Sequence, residues 1–167
     1  MNNSKRKTPP KKKNGLSYGG FMNFLKKKGY LVAAIAGLVA LVFYLFLDAY
    51  KAEIMGYSSS QNGLDAMLGK DGGEFVLMML VAVAAMVAGA VISYLSASKE
   101  GDTFKYAAAA CFAVAAILCF LTKNFVLSAN DASAMKSYFD LGIGAILAGI
   151  CSLVAAAAVI APKFLKD

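Results

Sequence analysis

Four uncharged apolar stretches separated by polar connections dominate the chain. Tyr30–Leu47, Phe75–Ala97, Tyr106–Leu121 and Leu141–Ala161 contain no Asp, Glu, Lys, Arg, His or Pro. They run 18, 23, 16 and 21 residues, against about 20 needed for a helix to cross roughly 30 Å of hydrocarbon. The third reaches that length by taking in Phe104 and Lys105, whose aliphatic stem can carry its ammonium out to the headgroups. The pattern predicts an all-α, integral membrane protein, an antiparallel four-helix bundle over 30–162. Its spans are expected at about 30–47, 75–97, 104–121 and 140–161, with external loops at 48–74 and 122–139.

The spans differ in strength. The first holds eleven Leu, Ile, Val or Phe residues, each favouring mid-bilayer by about 0.3–0.6 kcal/mol, so it inserts alone. It is too long for a cleaved signal and no small-x-small site follows it, so it reads as an uncleaved anchor. The third holds only six, beside seven Ala and two Cys. It is expected to enter as a hairpin with the second and to be the helix most surrounded by protein. Aromatic residues near the span ends, among them Tyr30, Tyr44, Phe46, Phe75, Tyr94, Tyr106 and Tyr138, predict rings at headgroup depth.

In the connections, Ala49–Met55 is expected to extend the first helix beyond the membrane. Turns are expected around Ser58–Ser60, Asn62-Gly63 and Asp71–Gly73, with one helical turn over Asp65–Leu68. Asn130-Asp131 should start a short helix through Met135. Asp140 should lie in the first turn of the last span, where the helix dipole favours a carboxylate, and Pro162 should end that span. The short link Ser98–Thr103 makes the second and third spans antiparallel neighbours.

Charge sets the direction of threading. The chain carries net +7 with 59% hydrophobic residues. Thirteen of the seventeen basic residues fall before Tyr30, between the second and third spans, or after the fourth. The positive-inside rule therefore predicts both termini in the cytoplasm, at the plasma membrane. Residues 1–14 read as a disordered basic arm and 15–29 as a juxtamembrane interfacial segment. Lys11, Lys12, Lys13, Lys26, Lys27 and Lys28 are expected to lie on anionic lipid headgroups, each worth about 1 kcal/mol. Membrane attraction and threading account for the charge, so no nucleic-acid partner is expected.

Candidate chemistry is sparse. There is no His, no nucleophile elbow, no phosphate loop and no metal-binding pair, so no catalytic residue, cofactor or metal is expected and the chain does not read as an enzyme. Cys111, Cys119 and Cys151 all lie inside spans, where they serve as small packing residues. Asp65 and Asp71 match no calcium-loop spacing and read as turn and cap residues. Small residues recur every four positions: Ala33 and Gly37 in the first span; Ala85, Gly89 and Ser93 in the second; Gly144, Ala148, Ser152 and Ala156 in the fourth. Such ladders predict close helix packing, within the chain or with a second copy, and the second and fourth helices are expected in the tightest contacts.

The stretch SSQNGLDAMLGK at Ser59–Lys70 and the final span's Gly142–Gly149 resemble elements of small, uncharacterised bacterial four-span membrane proteins. Along the rest of the chain that likeness is one of hydropathy, and it implies no activity. A claudin-type pattern is absent, since the first loop lacks Trp and Cys.

The function expected from these features is a non-catalytic accessory or interaction protein whose helix faces and external loop contact membrane partners. Two alternatives are a small oligomeric pore, permease or holin-like protein, and an immunity or resistance protein against membrane-active peptides.

Overall fold

A computed structural model of the protein describes residues 18–54, 56–97 and 102–164. The basic arm with Lys11, Lys12 and Lys13, the link 98–101 and the side chain of Lys26 lie outside the described residues.

The chain is mostly helical, but it is not all-α. In order, it forms α1 (Tyr18–Phe46), β1 (Asp48–Ile54), β2 (Tyr57–Asn62), α2 (Gly63–Leu68), α3 (Leu77–Leu95), α4 (Asp102–Phe120), α5 (Thr122–Ala129), β3 (Phe139–Leu141) and α6 (Ile143–Phe164). Among the described residues, four helices are long and apolar enough to cross a membrane: Lys27–Phe46, Leu77–Leu95, Asp102–Phe120 and Ile143–Phe164. Nineteen residues of α3 or α4 measure about 28 Å at 1.5 Å per residue.

These helices pack in a ring. α1 lies against α3 and α6, and α4 lies against the same two helices, so α3 and α6 sit diagonally opposite and scarcely touch. The tightest pair is the fourth span with the first, so the fourth lies in the tightest contact as expected and the second does not. The third span is also not the one most enclosed by protein: 28% of it is buried, against 44% of the fourth. In a four-membered ring every helix has two neighbours; α6 in addition lies against β1, and Gly144 and Gly149 leave room for α1 and the Phe120 ring to close in on it.

α1 begins twelve residues before Tyr30, so the segment expected to lie beside the membrane is helical from Tyr18 onward, broken at Lys28 (φ −131°, ψ 19°). The break brings Gly29 onto α6, where an added Cβ would stand 2.6 Å from the Ala158 carbonyl oxygen and 3.3 Å from Pro162 Cγ. That carbonyl is the one Pro162 leaves without a helical donor, four residues back along the chain. Pro162 does not end α6, which continues to Phe164.

The expected helical extension over Ala49–Met55 is instead strand β1. Tyr50, Ala52 and Ile54 alternate with Lys51 and Glu53, a period of two that suits one covered and one wet face. β1 pairs antiparallel with β2, from Asp48↔Asn62 to Ile54↔Tyr57, around a two-residue link in which Gly56 takes φ +84°. It also pairs antiparallel with β3, Lys51 opposite Asp140 and Ala52 opposite Phe139. The sheet order β2-β1-β3 thus joins the two connections that leave the same end of the helices. Asp140 is a strand residue across from a lysine rather than a first-turn carboxylate. The expected short helix from Asn130 is displaced: α5 occupies Thr122–Ala129, and a 3-10 turn covers Ser133–Tyr138.

Candidate functional site

At the sheet end, the two connections fold into a cap. Its first half is anchored by α2. Asn62 Oδ1 accepts from the Asp65 amide at 2.8 Å, while Asn62 Nδ2 donates to Asp65 Oδ2 at 3.1 Å. The first bond satisfies one backbone donor that a helix start leaves open, and the second fixes the Asn62 side chain that makes it. Gly69 closes α2 in the left-handed region, φ +68°, where a Cβ would be strained. Gly63 packs flush on α1, so that a side chain there would strike the Tyr44 carbonyl. Gly142 is likewise set against the Asp48–Ala49 backbone, and its amide donates to the Ala49 carbonyl at 2.9 Å. Glycine at these contacts is required by close approach.

The second half is tied on by Asn130. Its Oδ1 accepts from the Glu74 amide at 2.8 Å and its Nδ2 donates to the Val126 carbonyl at 2.8 Å, so one side chain staples the two connections together. Beneath them, Tyr44 and Thr122, both fully buried, share a hydroxyl hydrogen bond of 2.9 Å, and Thr122 Oγ1 lies 3.2 Å from the Leu118 carbonyl oxygen. Tyr44 was expected at the headgroup belt. It points inward because the start of α5 presents a hydroxyl partner in an otherwise apolar surround.

Between the inner face of the sheet and the two short helices lies a cleft of about 250 Å³. Tyr50 and Phe139, with ring centroids 5.7 Å apart, form one wall, Ala66, Val126 and Leu127 the apolar floor, and the Gly69–Glu74 segment the rim. Tyr50 donates its hydroxyl hydrogen to Gln61 Oε1 at 2.8 Å, and Lys70 is paired with Asp65 at 3.1 Å. Asp65 is therefore a cap and ion-pair residue, and no metal-holding group occurs among the described residues. The cleft was missed in the sequence because β2, reading YSSSQN, carries no apolar alternation; only the YKAEI run of β1 signalled a strand.

Inside the helices, the small residues are placed as follows. Ala33, Gly37, Gly89, Ser93, Gly144, Ala148 and Ser152 are buried, while Ala85 and Ala156 are half-buried. Four residues turn an α-helix about 40° past a full revolution, so a four-step ladder drifts off the contact face. In α6 the buried series passes from Ser152 to Ala155, and in α3 from Ser93 to Ser96. Two glycines serve a ring rather than a backbone. A Cβ at Gly37 would stand 2.5 Å from Phe112 Cε1, and one at Gly89 would stand 2.8 Å from the same atom. Phe112 of α4 is fully buried in the slot they make. By contrast a Cβ at Gly144 would run into α1 and the residue after it, 2.7 Å from the Phe43 carbonyl oxygen. The Ser93 and Ser152 hydroxyls are buried with no hydrogen-bond partner among the described residues.

At the far end, Lys27 and Lys28 are exposed. Asp102 there bonds Lys105 at 3.2 Å and faces Lys163 at 3.6 Å, and Lys163 also contacts the Tyr106 hydroxyl. The two ends of the molecule are therefore chemically distinct: an acidic, structured cap and a lysine-rich base. Compared with known proteins, the chain matches no family model, and no curated protein or solved structure is significantly similar to it.

Proposed function

We propose that this chain is a multi-pass plasma-membrane protein, a four-helix bundle with both termini cytoplasmic, that acts without catalysis as an accessory or interaction subunit. The reading is carried by the segregation of polar groups. The central stretches of the four helices hold no Asp, Glu, Lys, Arg or His, whereas carriers and pumps place such charged groups within the bilayer. The structured polar surface is concentrated in the cap, which would face the exterior as the docking element, while Lys27 and Lys28 would meet anionic headgroups. β2 adds an open edge of six residues without a charge or a proline, the kind of edge that accepts another strand. Photocrosslinkers at Tyr57 and Ser59 in native membranes should capture a discrete partner that also co-purifies in mild detergent. Recovery of only the unassociated monomer by both routes would sink the reading.

A second reading, an oligomeric pore, draws on the two unpartnered serine hydroxyls in the spans. Phe112 fills the space between Gly37 and Gly89, so a lumen would have to form between copies. Liposomes that stay tight to ions and small solutes at high protein loading would eliminate it.

A further inference from the structure

We infer that the cap cleft is a binding site for a small organic ammonium ion with an apolar body, a ligand that partner docking does not require. The size, the walls and the charge agree. At about 250 Å³ the cleft lies just under the range of drug-sized pockets, which suits a single amine-bearing side chain or a molecule of that bulk. Its floor is aliphatic and its wall is the Tyr50–Phe139 ring pair, which offers the π-faces that attract ammonium groups.

Among the described residues, two charged side chains line it, Lys70 and Glu74. Lys70 is neutralised by Asp65 at 3.1 Å. The Glu74 side chain is exposed and has neither ion pair nor hydrogen bond among the described residues, its backbone amide alone being held by Asn130. The unbalanced charge at the rim is thus negative. The surroundings extend that bias: residues 48–74 and 122–140 together hold seven acidic side chains against four lysines, in a chain of net +7. A carboxylate or phosphate ligand would meet repulsion there, and a cation would be drawn in.

The test uses the full chain in nanodiscs of zwitterionic lipid and three probes of one shape. These are phenethylammonium, phenylacetate and 2-phenylethanol, titrated by saturation-transfer NMR with empty nanodiscs as the blank. Phenethylammonium should saturate and bind roughly tenfold more tightly than phenylacetate, the scale expected when an exposed charge pair and a cation–π contact add. Glu74→Gln, at an exposed position, should bring the two probes to within about twofold of each other. Tyr50→Phe keeps the ring and should retain the preference, while Tyr50→Leu should weaken the cation alone. Equal binding of cation and anion, an undiminished cation preference in Glu74→Gln, or no saturable binding of any probe would overturn the assignment. Because purified chain suffices, failure here leaves the docking reading standing, and failure of docking leaves this site standing.

Discussion

Phe112 shows how one side chain organises the interior. Its ring is fully buried between glycines of two neighbouring helices, so both the ring and its slot are needed. Phe112→Ala should empty the slot and cost about 3–5 kcal/mol, read as a lowered midpoint in thermal or denaturant unfolding in detergent. Gly89→Leu should be as damaging, because the ring has no alternative seat. If both variants unfold like the parent, the interior is packed differently. Tyr44→Phe is a gentler change: Thr122 Oγ1 still has the Leu118 carbonyl at 3.2 Å, so the loss should be about 1 kcal/mol. A cost several times larger would mean that the phenol holds a wider network.

Among the elements, the cap is the part most open to single tests. Asn62→Ala removes the oxygen that receives the Asp65 amide and should destabilise α2 by about 1 kcal/mol, seen as faster amide exchange over Gly63–Leu68 with the four long helices unchanged. Sheet register can be read by crosslinking. Lys51 and Asp140 are directly paired on β1 and β3, so Lys51→Cys with Asp140→Cys should form a disulfide readily under mild oxidation. Glu53→Cys with Asp140→Cys, two residues out of register, should lag well behind; equal yields would show that the strands are not held in this pairing.

For the whole molecule, the decisive measurement is threading. With the native cysteines replaced by alanine, Ser60→Cys should react with an impermeant thiol reagent in intact cells, while Thr103→Cys should react only after the cells are opened. The reverse outcome would put the cap in the cytoplasm and remove the exterior docking role. The far end, with Lys27, Lys28, Lys105 and Lys163, would then lie outside, against the lysine asymmetry that sets orientation.

What the sequence determined by itself was the set of four long helices, because an uncharged stretch near 20 residues carries its own solvent preference and satisfies its backbone internally. The small residues were legible too, as types and spacings. Their roles were not: whether a glycine admits a ring, as Gly37 and Gly89 do, or a backbone, as Gly144 does, depends on which helix lies opposite. The tertiary structure decided that, along with the diagonal placement of α3 and α6. It also decided the cap. β3 is three residues long and β2 has no apolar alternation, so neither is a strand on local grounds; each becomes one by pairing with β1. That pairing exists because α1 leaves and α6 begins at the same end of the molecule, and the cleft exists because both connections must fold over that end together. Contacts between residues some ninety positions apart are not written in either segment alone.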